Sequence, residues 1–182
     1  MERIFGKPLI PQKEIEKRVR EIGARISADY EGRELVMICV LKGAYIFFAD
    51  LVRNIHVPVS VDFMMVSSYG VRTKSSGSVK IISDLSTDIS GKDVLLIEDI
   101  VDSGLTLNYL YETVKSKEPR SVKLCALLDK VERRKFDIPI EYIGFTVPTK
   151  YVIGYGLDYQ DKYRNLPYIA VLDMDEAELL GR

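Results

Sequence analysis

The residues with the clearest chemical potential lie together in the stretch 94–107. Four apolar residues are followed by two adjacent carboxylates, Glu98 and Asp99, and then by the sequence Asp-Ser-Gly-Leu-Thr at 102–106. A small-residue turn that opens a helix presents several backbone N–H groups in one direction, and together with the helix dipole they bind anions such as phosphate. The two carboxylates would repel that anion, but they suit sugar hydroxyls or a hydrated Mg²⁺. The pattern therefore favours a site for a phosphate beside a diol, as in a ribose phosphate.

A purely structural interpretation of the same stretch is equally open. Acids after a buried strand are common, and Asp-Ser-Gly often marks only a turn and a helix N-cap. The chain has neither the Gly-x-x-x-x-Gly-Lys-Ser/Thr loop nor the Gly-x-Gly-x-x-Gly turn that would identify other nucleotide sites. The residues of this stretch alone do not decide between the two interpretations.

Apolar periodicity predicts the elements that position this stretch. Apolar residues at steps of four, three and four predict a helix over 11–30, on Ile15, Val19, Ile22 and Ile26. Further helices are predicted at 44–53 and 104–117, and strands at 34–41, 59–66, 79–84, 94–97, 121–128, 141–147 and 166–172. Strands and helices alternate, which is typical of an α/β fold with a central, mostly parallel sheet flanked by helices. In such folds ligands bind at the carboxyl ends of the strands, where 98–106 would lie.

Two parts of the chain are expected to lie outside this sheet and its helices. Residues 67–79 contain five Ser, two Gly and one Thr, a composition typical of a mobile loop that forms no core of its own. The flanking strands, 59–67 and 79–84, would then form a long hairpin. Additional short strands towards both chain ends suggest a small subdomain appended to a single domain that spans 1–182.

Composition argues against several classes of protein. The 182 residues are 47% hydrophobic and 29% charged, which is ordinary for one globular domain. The net charge of −1 argues against a general nucleic-acid binder, and no apolar run has the length of a membrane span.

The N-terminus lacks a secretion signal, and Cys39 and Cys125 lie singly in apolar runs, so we expect a cytoplasmic protein with buried thiols. The single histidine, His56, makes Ser-His or Cys-His catalysis and a His-rich metal site poor candidates.

The stretch 94–106 resembles the phosphoribosyl-pyrophosphate (PRPP) motif of type I phosphoribosyltransferases. That motif consists of an apolar run, two acids, two variable positions and Asp-Ser/Thr-Gly-x-Thr. Four further segments, in the expected order, resemble the hypoxanthine-guanine branch of the family: Leu41-Lys42-Gly43, Ser67-Ser68-Tyr69-Gly70, Leu128-Asp129-Lys130, and Tyr151-Val152-Ile153-Gly154-Tyr155-Gly156-Leu157-Asp158 with Arg164 beyond. The resemblance implies the type I phosphoribosyltransferase fold. It also implies a hood subdomain, built from the N-terminal segment plus about 150–182, and a flexible lid loop at about 67–79.

The resemblance implies roles for the residues that would bind PRPP. Glu98 and Asp99 would hold the ribose hydroxyls. Asp102 would contact PRPP and act as the general base near N7 of the purine, with a helix N-cap as its alternative role. The 5′-phosphate would be cradled by Ser103, Gly104, Leu105 and Thr106.

The resemblance also implies a pyrophosphate site and a cofactor. Lys42 and Gly43 would bind pyrophosphate, after a peptide bond that is often cis in this family. The other pyrophosphate contacts would be Ser68, Tyr69 and Arg164. The implied cofactor is Mg²⁺, with Glu98 and Asp99 as candidate ligands and Asp158 as a ligand of a second Mg²⁺.

A third group of residues would bind the purine base. Lys130 would donate a hydrogen bond to the 6-oxo group, and because an ammonium has only donors, it would reject the amino group of adenine. Tyr151 would stack on the ring, while Val152 and Asp158 would contact its edge. The alternative for Lys130 is a solvated surface lysine, which is less expected at the end of a buried strand. The alternative for Tyr151 and Val152 is ordinary strand packing.

The activity implied by the resemblance is purine salvage in the cytoplasm. The enzyme would transfer the 5-phosphoribosyl group from PRPP to N9 of hypoxanthine or guanine, giving IMP or GMP and pyrophosphate. A xanthine-preferring enzyme is an alternative, and so is a PRPP-sensing regulator that binds nucleic acid. Near-zero net charge and the presence of Asp102 and Lys130 disfavour the regulator. We therefore expect no nucleic-acid or membrane partner, and a homodimer or homotetramer.

Overall fold

A six-stranded sheet forms the centre of the fold. The computed structural model describes residues 8–69 and 78–172. The strands of the sheet have the spatial order β3-β2-β1-β4-β5-β6, and they are β1 (Leu35–Leu41), β2 (Val59–Tyr69), β3 (Ser78–Ser83), β4 (Asp93–Val101), β5 (Ser121–Asp129) and β6 (Tyr142–Thr146). All neighbours are parallel except β2 and β3, which pair antiparallel. The predicted α/β class with a mostly parallel sheet is confirmed.

The strand order creates a crevice between β1 and β4. From β1 the chain first adds β2 and β3 on one side, and it then crosses to the other side of β1 to form β4. When the connections after two neighbouring strands run in opposite directions, a gap opens at the carboxyl ends of these strands. Ligands bind in this gap in open α/β sheets. Leu41 ends β1 at this gap, and Glu98 and Asp99 lie near the same end of β4.

In the described ranges, three α-helices cover the two faces of the sheet. They are α1 (Gln12–Asp29), α2 (Tyr45–Val52) and α3 (Leu105–Lys115). On one face of the sheet, the apolar side of α1 packs together with α2. This cluster includes Met37, Cys39 and Ile97 of the sheet. The other face packs against α3 and includes Val36, Ile38, Leu96 and Leu107. Alternate residues of β1 and β4 therefore enter opposite cores, which explains why both strands are apolar throughout.

A second, two-stranded sheet lies near the end of the described chain. Its strands, β7 (Val152–Ile153) and β8 (Ala170–Val171), pair antiparallel. Ile10 forms an isolated bridge with Ile169, so the segment before α1 lies beside β8. This contact unites the two parts of the chain that the sequence assigns to the hood, although the hood itself stays a prediction.

The observed elements follow the predicted ones closely, with differences at their ends. The predicted strand over 166–172 is shorter, because the backbone pairs only over Ala170–Val171. Pro11 is the N-cap of α1 rather than its first helical residue. The loop 131–139 contains one short 3₁₀ turn, Val131–Arg133.

Most of the predicted lid, at residues 70–77, lies outside the described residues. Of the helices in the described ranges, none combines the length and apolar character needed to cross a membrane.

Both cysteines are buried and unpaired. Cys39 lies in β1 and Cys125 in β5, each at most 1% exposed. Burial, assisted by the carboxylates Glu98 and Asp99, raises the pKa of the Cys39 thiol to about 12. Burial also raises the pKa of the Cys125 thiol. The predicted buried thiols are confirmed.

Asp62 fixes the loop that leads from β3 towards β4. Its buried carboxylate accepts backbone N–H groups from Phe63, Ser86 and Thr87, at 2.7–2.9 Å, and also the Ser86 hydroxyl at 3.2 Å. Burial alone would raise the pKa of Asp62, but these donors outweigh it and hold the pKa below its ordinary value of 3.8. The ionised carboxylate is therefore part of the folded structure.

Asp62→Asn is expected to lower the free energy of unfolding by about 2 kcal/mol at pH 7, because the amide cannot accept all of these N–H groups. Because folding lowers the pKa of Asp62, the stabilisation from its carboxylate is complete above the unfolded-state pKa of 3.8. This stabilisation is lost as the pH falls through the lower pKa of the folded state. Urea unfolding of both proteins between pH 7 and pH 3 measures the difference. Asp88→Asn is the matched control, because Asp88 is exposed and an asparagine can still accept the Ser90 N–H. A difference that is independent of pH would contradict this role of Asp62.

Candidate active site

The turn at 102–106 begins α3 and forms a small pocket. Gly104 is the N-cap, with φ of 81°, a left-handed conformation that glycine adopts without steric cost. Ser103 Oγ accepts the Leu105 N–H at 3.4 Å. The pocket has a volume of about 90 Å³ and is lined by Glu98, Ile100, Val101, Asp102, Ser103, Gly104, Thr106 and Leu107. All of the predicted phosphate-binding positions line it except Leu105.

The adjacent carboxylates of β4 are buried. Glu98 and Asp99 are 8% and 9% exposed. Glu98 Oε1 accepts the Asp99 N–H at 3.3 Å, and Asp99 Oδ1 accepts the Ile100 N–H at 2.8 Å. Burial raises the pKa of both groups, and repulsion from Asp99 raises that of Glu98 further. A cation or sugar hydroxyls beside this pair would stabilise its ionised form, as expected for a ribose or magnesium site.

A larger cavity adjoins the small pocket. It has a volume of about 240 Å³ and is lined by Asp99, Ile100, Asp102, Lys130, Tyr151, Val152, Leu157 and Asp158. The four residues predicted to bind the purine all belong to this lining. Tyr151 Oη donates a hydrogen bond to the Asp158 carbonyl at 3.3 Å, and the Tyr151 ring meets Tyr159 edge-on with centroids 5.8 Å apart.

Asp102 belongs to the lining of both the small pocket and the larger cavity. Lys130 Nζ lies 3.3 Å from its Oδ2. Arg133 Nε forms an ion pair with its Oδ1 at 2.7 Å, without the alignment of a hydrogen bond. The Lys130 side chain is only 9% exposed, so it is a buried, ion-paired group and not an ordinary surface lysine. The arrangement places an acid–base group between two adjoining pockets.

Two glycines allow three segments of the chain to meet. A Cβ on Gly43 would collide with the Asp99 carboxylate, and a Cβ on Gly156 would collide with the Gly43 carbonyl. The Leu41–Lys42 peptide bond that precedes Gly43 is cis, as the resemblance implies. The loop after β1, the end of β4 and the loop after β7 are therefore in direct contact.

Two of the predicted pyrophosphate contacts, Lys42 and Arg164, belong to an ion-pair network that includes Asp158 of the cavity lining. Lys42 Nζ lies 3.4 Å from Asp161 Oδ1. Arg164 Nη2 lies 2.7 Å from Asp158 and 3.4 Å from Asp161. Arg164 Nη1 also donates to the Gly156 carbonyl at 2.7 Å, which ties the network to the loop beside Gly43.

Two of the predicted site residues cannot be placed as side chains. Ser68 and Tyr69 end β2, at the same edge of the sheet, but their side chains lie outside what the structure describes. Within residues 8–69 and 78–172, no three His, Cys, Asp or Glu side chains come together as a metal site. Mg²⁺ often has only one or two protein carboxylates as ligands, together with substrate phosphates and water, so the pair Glu98 and Asp99 suits one ion and Asp158 suits a second one.

Comparison with known proteins identifies the family. Residues 9–160 match the model of the phosphoribosyl transferase domain. The chain is 51% identical to the hypoxanthine-guanine phosphoribosyltransferase of Bacillus subtilis over 172 residues, which cover 94% of this chain and 96% of that protein. The chain belongs to the hypoxanthine-guanine phosphoribosyltransferase family. The resemblance seen in the sequence is thereby confirmed, and the chain is a phosphoribosyltransferase.

Two further relatives agree with this assignment. The chain is 51% identical over 166 residues to the bifunctional protein TilS/HprT of Listeria innocua, and these residues cover 91% of this chain but 26% of that longer protein. A crystal structure of a hypoxanthine phosphoribosyltransferase from Staphylococcus aureus matches with a TM-score of 0.91 and 43% identity. That match covers 96% of this chain and 95% of the other. The type I phosphoribosyltransferase fold is confirmed.

Three residues that contact predicted site residues were not assigned a role from the sequence: Arg133, Gly156 and Asp161. Arg133 lies in a basic run that has no distinctive pattern, and only the structure shows its ion pair with Asp102. Asp161 lies in the polar segment 159–165, which gives no sign of its contact with Lys42. Gly156 is part of a family segment, but its contact with Gly43 requires the fold.

Proposed function

We propose that this phosphoribosyltransferase acts in purine salvage, transferring the 5-phosphoribosyl group of PRPP to N9 of hypoxanthine or guanine. The products would be IMP or GMP and pyrophosphate. The observation that carries the proposal is the position of Asp102, which lines both the small pocket of the PRPP motif and the larger cavity lined by Lys130 and Tyr151. A donor and an acceptor bound in these two pockets would meet beside one carboxylate.

The donor is proposed to bind through the PRPP motif. Backbone N–H groups at the start of α3, with the hydroxyls of Ser103 and Thr106, would hold the 5′-phosphate, and Gly104 would allow its close approach. Leu105 would contribute only its backbone. Glu98 and Asp99 would accept hydrogen bonds from the ribose hydroxyls, which suits their buried, adjacent carboxylates.

The leaving pyrophosphate is proposed to lie beside the loop after β1. Lys42 and Arg164 would neutralise its charge, the Gly43 backbone would contact it, and Ser68 and Tyr69 would complete its binding. Glu98 and Asp99 would hold one Mg²⁺ and Asp158 a second one, and these ions would supply further charge neutralisation for the departing pyrophosphate. Cationic groups placed where negative charge develops stabilise the transition state.

The acceptor base is proposed to bind in the larger cavity. The Lys130 ammonium would donate to the 6-oxo group, the Tyr151 ring would stack on the base, and Val152 and Asp158 would contact its edge. Asp102 would then accept the N7 proton as N9 attacks C1 and the C1–O bond to pyrophosphate breaks. The electron pair of that bond leaves with pyrophosphate, so C1 has oxocarbenium character in the transition state.

The hood and the lid have proposed roles in the same reaction. The hood would form the outer wall of the base site, because Tyr151 and Val152 belong to it. The lid, at about 67–79, would close over the reacting ribose and exclude water, which would otherwise hydrolyse PRPP.

The proposal is tested by the acceptor specificity of the purified protein. Hypoxanthine, guanine, xanthine and adenine would each be supplied with Mg²⁺–PRPP while the release of pyrophosphate is followed. Turnover with hypoxanthine or guanine and none with adenine is expected. Faster turnover with xanthine would favour the xanthine-preferring alternative, and no turnover with any base, together with tight nucleic-acid binding, would favour the regulator. The comparisons with known proteins favour neither alternative.

Lys130→Ala is expected to lower kcat/KM for guanine and hypoxanthine by roughly tenfold or more, because a hydrogen bond from a charged donor is lost. The apparent affinity for PRPP is expected to change much less. Steady-state kinetics with each substrate varied in turn measures both effects. Lys135→Ala is the control, because that lysine is exposed and lies in the loop that follows. Unchanged guanine kinetics in Lys130→Ala would contradict base recognition by this residue.

An oligomer and a cytoplasmic location complete the proposal. A homodimer or homotetramer is supported by three large apolar side chains of α2 and β2 that are 43–45% exposed: Tyr45, Val61 and Phe63. Light scattering of the purified chain would measure the mass in solution. Nucleic-acid and membrane partners are not part of the proposed function.

A further inference from the structure

Four charged side chains form a network at the proposed pyrophosphate site. Lys42 and Arg164 carry the positive charges, and Asp158 and Asp161 carry the negative ones. Asp161 Oδ1 lies 3.4 Å from both Lys42 Nζ and Arg164 Nη2, so one carboxylate oxygen contacts both cations. The formal charge of the network is therefore zero, although a site for pyrophosphate would be expected to be positive.

The backbone around Asp161 fixes the position from which its side chain extends. Gln160, Asp161 and Tyr163 all have left-handed φ values, of 53°, 60° and 74°. A left-handed conformation of a residue other than glycine costs of the order of 1 kcal/mol or more and persists where the surroundings fix it. Two backbone hydrogen bonds between Tyr159 and Lys162 close the turn, at 3.0 and 3.1 Å, and the Asp161 N–H donates to Asp158 Oδ2 at 2.8 Å. A closed turn thus fixes the backbone of Asp161, and the exposed carboxylate extends from it beside the two cations.

The charges that face Asp161 keep it ionised. A hydrogen bond from Arg164 is the main cause, and the charge and hydrogen bond of Lys42 add to it, so that the pKa of Asp161 lies below its ordinary value. Its side chain is 76% exposed, and that of Lys42 is 56% exposed. The Arg164 side chain is 20% exposed, so its contact with Asp161 is open to water mainly on the Asp161 side. Ion pairs with an exposed member of this kind are weak enough to exchange with a bound anion.

We propose that Asp161 competes with the diphosphate group of PRPP and with product pyrophosphate for Lys42 and Arg164. This inference rests on the proposed function, which assigns these two cations to pyrophosphate. Binding of the diphosphate would displace the Asp161 carboxylate from both cations, and release of pyrophosphate would restore the two ion pairs. Asp161 would then weaken the binding of both anions and make pyrophosphate easier to release.

The size of the effect follows from the exposure of the two ion pairs. Each exposed pair contributes little, so their combined loss is expected to tighten pyrophosphate binding by roughly threefold to tenfold. Asp161→Asn is the informative variant, because asparagine tolerates the left-handed conformation and has nearly the same shape but lacks the charge. Asp161→Glu keeps the charge, and we expect it to restore at least part of the competition.

The experiment is a calorimetric titration of the full chain with inorganic pyrophosphate, with and without Mg²⁺. Tighter binding to Asp161→Asn than to the unsubstituted chain is expected in both conditions, together with stronger inhibition of turnover by pyrophosphate. Asp88→Asn removes the same charge from an exposed loop before β4, at the amino ends of the strands, whereas the proposed site lies at their carboxyl ends. This control is expected to leave pyrophosphate binding unchanged. Equal tightening in both variants would indicate a general charge effect and overturn the proposal.

Two other outcomes separate this inference from the function on which it rests. If Asp161→Asn binds pyrophosphate as well as the unsubstituted chain or more weakly, with or without Mg²⁺, the proposed competition is overturned. If the binding is weaker only with Mg²⁺, Asp161 is a metal ligand instead. Lys42→Ala tests the assignment of the site itself and is expected to weaken pyrophosphate binding. If Lys42→Ala has no effect, the pyrophosphate site of the proposed function is wrong, whatever Asp161→Asn does.

Discussion

Asp102→Asn is expected to lower kcat by about 10²–10⁴-fold, the range typical of a lost general acid–base group. Asparagine has nearly the shape of aspartate, but it cannot accept the N7 proton during attack by N9. Asp102 lines both pockets, with Lys130 and Arg133 beside its two oxygens, so the loss should fall on the chemical step. Single-turnover kinetics with saturating Mg²⁺–PRPP and guanine measures that step directly.

Binding measurements distinguish a catalytic role of Asp102 from a structural one. The affinity of Asp102→Asn for Mg²⁺–PRPP is expected to remain within about threefold, because the phosphate and ribose contacts proposed for the motif are unchanged. Asp137→Asn provides a matched control in the nearby loop, since Asp137 is exposed, and normal turnover is expected. Near-normal turnover of Asp102→Asn would remove Asp102 as the base. A large loss of PRPP affinity or of thermal stability would instead make its role structural.

Gly43→Ala is expected to lower kcat/KM for PRPP by more than about a hundredfold, because a displacement of about 1 Å at a reacting site has an effect of this size. The added Cβ would collide with the Asp99 carboxylate, which cannot move away easily because it is buried and accepts the Ile100 N–H. Either Asp99 or the loop that carries Lys42 must shift. Steady-state kinetics with PRPP varied at saturating guanine measures the effect.

Gly144→Ala is the matched control for the steric effect of a methyl group. A Cβ on Gly144 would collide with the Leu127 carbonyl, within the sheet between β5 and β6, rather than with a site residue. Both variants are expected to unfold at lower temperature, since overpacking typically costs 1–3 kcal/mol. The loss of PRPP turnover is expected only in Gly43→Ala. Equal loss of turnover in the two variants, at equal stability, would show that Gly43 acts through the general fold.

Much of the fold could be predicted from the sequence because each element has a local pattern. The four isoleucine and valine residues of α1 recur at helical spacing, and they are the buried face of that helix. The apolar strands β1 and β4 are buried on both faces, as continuous apolar runs predict. The last predicted strand, 166–172, was too long, because the length of a strand depends on its partner and β7 offers only two residues.

The site was predictable where it is local in sequence and not where it depends on contacts across the fold. The turn at 102–106 and the helix after it could be predicted because Asp-Ser-Gly is a local turn signal, and the resemblance to the PRPP motif then favoured an anion site over a plain N-cap. The ion pairs of Arg133 and Asp161 could not, because charged residues in polar loops are common and most are only solvated. The close approach of Gly43 to Asp99 also required the register of β1 against β4.

The burial of Cys39 and Cys125 has a consequence for chemical labelling of this enzyme. Alkylating and oxidising reagents react with thiolates, and burial raises the pKa of both thiols, so neither is in a reactive form or within reach of a reagent. The chain contains no other cysteine. A cysteine introduced at an exposed position such as Lys150, next to Tyr151, would therefore be the only reactive thiol. A fluorophore attached there would report on the base cavity without any change to the two native cysteines.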